Sequence, residues 1–184
     1  MTTERTEPSD TDLVLRARDG DDAAFGALVR RYQTAALRLA AAISGSPDDA
    51  ADIAQEALVK AHRSLARLAD PSTVRAWMLR IVANEAKNHL RGRDRRRQRE
   101  LRFGSWAVSA VVEPEASLLD GEAARGLAAA LGRLSTRHRQ VLAYRYFAGL
   151  SEAETAQAMG VAPGTVKSRT ARALGQLRGT LGEA

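Results

Sequence analysis

Gly149–Leu174 reads GLSEAETAQAMGVAPGTVKSRTARAL, two short helices joined by a tight turn. Ser151 and Glu154 have the spacing of a capping box, in which a hydroxyl and a carboxylate satisfy the free N–H groups at a helix start. Gly160 suits the left-handed residue that ends such a helix, and Pro163 suits the first turn of the next, where its missing N–H costs nothing. Val166, Ala173, Leu177 and Leu181 recur at helical spacing, so one face of the second helix is predicted to pack inward. Lys167, Ser168, Ala171 and Arg172 share another face. A buried side that holds the helix and an exposed side of cationic and small residues are what a major-groove reader needs. A plain helical hairpin with a solvated basic face has the same pattern.

Outside this segment, the 184 residues carry a formal charge of +6, which favours an anionic partner, most commonly nucleic acid. The absence of cysteine excludes disulfides and thiolate metal sites and fits a reducing compartment. His62, His89 and His138 are far apart and lack ligand spacing, so no metal or cofactor is expected. The N-terminus is polar and acidic, unlike a signal peptide, and the apolar run Ala35–Ile43 is too short to span a bilayer. These features read as a soluble cytoplasmic protein. No Gly-rich phosphate loop, Ser-His-Asp set or metal-like carboxylate cluster suggests an enzyme.

Residues 1–10 are unpatterned and read as a disordered tail. From Asp22, Phe25, Leu28, Val29, Tyr32, Ala36, Leu39 and Ile43 keep a 3.6-residue period. Gly45-Ser46-Pro47 breaks it, and a second helix from about Asp48 is predicted to bury Ile53, Ala57, Leu58, Ala61, Leu65 and Leu68. Beyond Asp70-Pro71-Ser72, a third helix runs from about Thr73 into an arginine run, with Val74, Trp77, Ile81 and Val82 inward and Trp77 as an anchor of the core. The period is lost over 99–115, the best linker candidate, and resumes near Ala116. The fold class is therefore all-α, with two small helical domains, 11–98 and 116–184, joined by a flexible linker. Each is large enough for its own core.

On the third helix Arg80, Asn84, Lys87, Asn88, Arg91 and Arg95 fall on one face. Arginines suit phosphates, while the amides of Asn84 and Asn88 can read base edges or an unstacked base. A solvated face with cations at a helix C-terminus is the plainer alternative.

Two basic modules in this order resemble a bacterial sigma factor of the sigma-70 family, extracytoplasmic-function (ECF) group. FGALVRRY (Phe25–Tyr32), DDAADIAQEALVKAHRSL (Asp48–Leu65) and AWMLRIVANEAKNHLR (Ala76–Arg91) resemble the family's region 2. LSTRHRQVLAYRYFAGLSEAETAQAMGVAPGTVKSRTARAL (Leu134–Leu174) resembles region 4. The resemblance implies a non-catalytic subunit that binds core RNA polymerase through its β′ clamp helices and β flap and directs promoter-specific initiation. It implies Asp52, Gln55 and Glu56 as polymerase contacts. It places the loop Arg67–Val74 at a base flipped from the −10 element, with Arg80, Asn84, Lys87, Asn88 and Arg91 along the −10 strand. Arg145, Lys167, Ser168, Arg169, Ala171 and Arg172 lie where the family contacts the −35 duplex. An anti-sigma factor is a further implied partner.

Ser135, Ala162, Thr170 and Leu174 depart from the family's usual residues, and Ala162 weakens a helix N-cap by roughly 1 kcal/mol. The two promoter elements are separated by about 80 Å at about 34 Å per turn. A module of about 80 residues is only about 30 Å across. Two modules and a linker reaching at most about 55 Å can touch both when a scaffold holds them. A stand-alone regulator or a nucleic-acid-processing enzyme are the other classes compatible with a basic helical chain.

Overall fold

The computed structural model describes residues 7–102 and 122–182. Every described element is helical. Four helices form the first module: α1 (Asp10–Arg18), α2 (Asp22–Ser44), α3 (Pro47–Ser64) and α4 (Val74–Arg102). The second contains α5 (Glu122–Arg133), α6 (Thr136–Leu142), α7 (Glu152–Met159) and α8 (Pro163–Gly182). The expected linker lies outside the described residues from 103 onward, and residues 99–102 continue α4.

Local chemistry sets the helix ends. Asp21 caps α2 by accepting from the Ala24 N–H, and Ser46 caps α3 directly ahead of Pro47. α1 is the element that the apolar pattern misses. It starts on a reciprocal Ser9–Asp12 cap and contributes only Leu13 and Val14 to the core. Residues 1–6 lie outside the described residues, whereas Ser9 and Asp10, assigned by sequence to the tail, begin this helix.

In the first module α2, α3 and α4 pack on one another, and α1 closes one end over α2. Leu13, Val14, Phe25, Leu28, Tyr32, Leu65, Leu68, Val74 and Met78 form one cluster. Trp77 is not its anchor: it is half-buried at the rim, while Met78 and Leu79 point inward. One residue of helical phase, about 100°, separates these positions. The second module closes around Leu131, Leu134, Val141, Leu142, Ala156, Val166 and Ala173. On α8 the inward face ends early, with Leu177 half-buried and Leu181 43% exposed, because the helix outruns the elements it packs on.

A third cluster joins the modules. Ala36, Leu39, Ile43, Leu79, Val82 and Ala86 of the first meet Ala143, Tyr144, Ala148, Leu150 and Ala158 of the second. α7 packs on α4, while α6 and the π-helical turn Ala143–Phe147 pack on α2. The two modules expected to be merely tethered therefore touch.

Burial separates leucines that the sequence pattern treats alike. Leu28→Ala, at a fully buried site, is expected to cost about 2–5 kcal/mol. Leu181→Ala is expected to change stability by no more than about 0.5 kcal/mol. Urea unfolding followed by circular dichroism checks both; equal shifts would contradict the assigned facing of α8.

Candidate nucleic-acid interface

The helix-turn-helix is built from its caps. The Ser151 hydroxyl accepts from the Glu154 N–H at 3.1 Å, and the Glu154 carboxylate accepts from the Ser151 N–H at 2.7 Å. Gly160 ends α7 at φ 65, a left-handed conformation that a side chain would strain. α8 then begins at Pro163 without a side-chain cap from Ala162, which has no acceptor to offer. Its rear is fixed by buried Val166 and Ala173, and His138 Nδ1 on α6 lies 2.7 Å from Gln176 Oε1.

Lys167, Ser168, Ala171 and Arg172 are exposed together on α8, with Arg169 half-buried beside them. The Ser168 hydroxyl donates back to the Thr165 carbonyl at 3.2 Å, so it approaches a ligand already engaged. Arg145 does not belong to this group by position. It lies in the π-helical turn, and its guanidinium donates to the Leu150 carbonyl just before α7. There it braces the entry into the helix-turn-helix.

On α4, Arg80, Asn84, Asn88 and Arg91 are exposed along about 17 Å of helix. Lys87 is half-buried; burial, with the neighbouring Arg91 charge, lowers its pKa. The loop before α4 is tied down at both ends. The Arg18 guanidinium reaches the Leu65 and Leu68 carbonyls, and Asp70 accepts from the N–H and hydroxyl of Ser72. Between this loop and α4 lies a cavity of about 270 Å³, rimmed by Arg67, Asp70, Trp77 and Arg80. Its far wall is Gln157 and Ala158 of α7.

Asp52, Gln55 and Glu56 are exposed on one side of α3, where three- and four-residue spacing brings them together. Beside them runs an open apolar groove of about 450 Å³ between α2 and α3, lined by Phe25, Val29, Leu37, Leu58 and Val59. The helical period hides it in part, since Phe25, Val29 and Leu58 count as core candidates there, while Leu37 and Val59 fall outside that period.

Arg75 and Arg139 have no sequence signal, and Tyr144 shows in the sequence only as part of an apolar helical run with Val141 and Leu142. Arg75 donates to Glu154 at 3.0 Å and to the Ala148 and Gly149 carbonyls at 3.2 and 2.9 Å. Arg139 is 8% exposed and donates to the carbonyls of Leu131, Gly132 and Ile43. Tyr144 is fully buried between the modules. Partial burial works to raise the Glu154 pKa, but its hydrogen bonds with Ser151 and the Arg75 charge hold the carboxyl below the usual carboxylate range. A depressed folded value contributes stability above the unfolded one and loses it only as pH falls through the depressed value, so this pair is intact at neutral pH.

Sequence models for the two regions match in the expected order: Sigma-70 region 2 over residues 28–96 and Sigma-70 region 4 over residues 124–177. The chain belongs to the sigma-70 family. The sigma-70 fold and length extend to whole relatives, which place it in the ECF group. RNA polymerase sigma-H factor of Pseudomonas aeruginosa is 35% identical over 176 residues, covering 91% of each chain. ECF RNA polymerase sigma factor SigM of Mycobacterium tuberculosis is 35% identical over 178 residues, covering 97% of this chain and 87% of that one. Among solved structures, the sigma factor RpoE of Bartonella quintana, in complex with the anti-sigma factor NepR, superposes with a TM-score of 0.66 at 28% identity, covering 85% of this chain and 96% of that one. Among the described residues no helix is long and apolar enough to cross a membrane.

The different settings of Arg145 and Lys167 give separable outcomes for this sigma-70 chain. Lys167→Ala is expected to reduce the salt slope of duplex binding by about one phosphate contact. Arg145→Ala is expected to lower the thermal midpoint and leave that slope unchanged. Fluorescence anisotropy over a salt series, beside a melting curve, checks the pair.

Proposed function

We propose that this ECF sigma factor directs initiation by reading the −35 duplex with α8 and capturing melted −10 strand with α4 and the loop Arg67–Val74. The observation that carries this reading is the ordered pair of region 2 and region 4, each presenting an exposed cationic helix face on an apolar support. The proposed modules are 11–98 and 116–184, with 99–115 between them. Lys167, Ser168, Arg169, Ala171 and Arg172 serve the duplex, with Arg145 as a brace. Arg80, Asn84, Lys87, Asn88 and Arg91 serve the single strand.

Strand opening then draws on binding energy alone. An unstacked base that enters the cavity beside Trp77 gains aromatic stacking worth about 1–3 kcal/mol, and each captured base shifts the DNA equilibrium toward the melted state. No bond is made or broken by the sigma factor, whose role is that of a specificity subunit rather than an enzyme. Asp52, Gln55 and Glu56, beside the apolar groove of α3, form the proposed docking face for the β′ clamp helices of core polymerase. The dipole of α3 favours Asp48 and Asp49 in its first turn, whereas Asp52 and Glu56 lie further along and present their charge to a partner. A β flap contact by the second module and control by an anti-sigma factor complete the proposed partners, with the cytoplasm as the compartment. The RpoE–NepR complex supports the latter partner class.

Run-off transcription with purified core polymerase on a genomic promoter library tests the reading. Specific transcripts are expected; none at any promoter would sink it. On a promoter so found, Arg172→Ala is expected to cost about 1–3 kcal/mol at one −35 position if the side chain reads a base, and evenly at all sequences if it holds a phosphate. The Asp52→Ala, Glu56→Ala double variant is expected to weaken core polymerase binding and leave −35 duplex binding intact.

A further inference from the structure

Helix α1 is the element of the first module to which the proposed function gives no task. None of its side chains lines either cavity. It nevertheless packs under the loop that leads into α4. Leu13 and Val14 share a buried cluster with Leu65, Leu68 and Val74, and α1 meets both 3-10 turns of the loop, Leu65–Arg67 and Pro71–Thr73.

Both ends of α1 are anchored on α2. At its start Asp10 accepts from the Tyr32 hydroxyl and the Arg31 guanidinium. At its end Arg16 donates at 2.6 Å to Asp21, the residue that caps α2. A helix fixed at both ends is a firm mount for Arg18, whose half-buried guanidinium leaves α1 for the loop.

Arg18 Nε donates to the Leu65 carbonyl at 3.4 Å, and its Nη2 donates to the Leu68 carbonyl. These carbonyls need a donor. α3 ends at Ser64 and the 3-10 turn at Arg67, so the chain runs out of amides placed to reach them, as at any helix C-terminus. The Leu65 carbonyl keeps one backbone partner, the Leu68 N–H at 3.1 Å. Among the described residues no backbone N–H donates to the Leu68 carbonyl. An arginine fork spans two acceptors at once, which the point charge of a lysine does not.

The rest of the loop ties itself. Asp70 accepts from the Ser72 N–H and hydroxyl at 2.9 and 2.7 Å, and the Thr73 hydroxyl donates to the Asp70 carbonyl at 2.7 Å. Only Ala69 stands between the two ties. Leu68, Ala69 and Asp70 line the cavity that Trp77 of α4 also lines. Where Arg18 holds the Leu68 carbonyl thus decides where this wall stands relative to the indole. With that tie cut, an entering base has to order the loop before it can stack, and ordering costs affinity.

We propose that Arg18 is a positioning residue for −10 base capture, fixing the cavity wall formed by Leu68 and Ala69 without touching DNA itself. The inference rests on the proposed function and adds to it an element, α1, that acts through the loop.

The full chain is compared with Arg18→Ala, Arg18→Lys and Arg16→Ala. Arg16→Ala cuts the pair with Asp21 and leaves the loop bonds in place, so it reports the effect of loosening α1 alone. Fluorescence anisotropy measures affinity for a single-stranded −10 oligonucleotide from a promoter found by run-off transcription, and for copies made abasic at each position in turn. A salt series counts phosphate contacts, and hydrogen–deuterium exchange follows residues 65–74.

The wild-type chain is expected to bind about tenfold more weakly when the captured base is missing. Arg18→Ala is expected to lose about tenfold on the intact strand and to stay within about twofold of wild type on that abasic copy, with an unchanged salt slope. Its exchange over 65–74 is expected to be about tenfold faster. Arg18→Lys, which keeps one of the two ties, falls between, and Arg16→Ala keeps the wild-type preference for the base.

Full base preference in Arg18→Ala overturns the proposal, and so does unchanged exchange over 65–74. Equal losses on intact and abasic strands would make Arg18 a phosphate contact and overturn it. The same lost preference in Arg16→Ala would reduce Arg18 to a part of α1 stability, which overturns it too. A wild-type chain without base preference at any position would instead remove the functional reading, and the exchange comparison would still say whether Arg18 holds the loop.

Discussion

The structure depends on how α2 divides its buried surface. Its N-terminal half gives Phe25, Leu28 and Tyr32 to the cluster under α1 and the 3-10 turn at Leu65. Its C-terminal half gives Ala36, Leu39, Ala40 and Ile43 to the core that also receives Tyr144 and Leu150 from the second module. A helix that must satisfy two neighbours along its length has to be apolar on more than one narrow stripe, and the AALRLAAAI run provides that with small residues between larger ones. Small residues also allow close approach of α6 and α7 to α2 and α4. The same alanines that make the contact possible keep it shallow.

Charge gathers at three places around this scaffold, two of which meet where Asp49 of α3 lies 3.7 Å from Arg93 of α4. Acidic residues gather near the start of α3, while arginines accumulate toward the end of α4 and on the outer face of α8. The +6 formal charge thus understates how basic the DNA-facing surfaces are, because the acidic residues sit largely elsewhere or serve as caps. Asp12, Asp21 and Glu154 each accept backbone N–H groups at helix starts. Such carboxylates are spent on helix ends and leave the arginine faces uncompensated.

Features written in neighbouring residues were legible from sequence: the Ser151–Glu154 cap, the Gly160 stop, the Pro163 start and the exposed face of α8. Features written across the fold were not. Trp77 and Met78 differ by one helical step, and only the position of α1 and α2 decides which goes inward. Leu181 keeps the period of Val166 and Ala173, yet the helix runs past its support before reaching it. Arg145 and Arg139 look like their surface neighbours in the sequence, but both are turned onto backbone carbonyls. A guanidinium's fate depends on which carbonyls lack partners nearby, and local pattern holds no information about that. α1 escaped because two buried residues make no period, although its Ser9–Asp12 cap was present to be read.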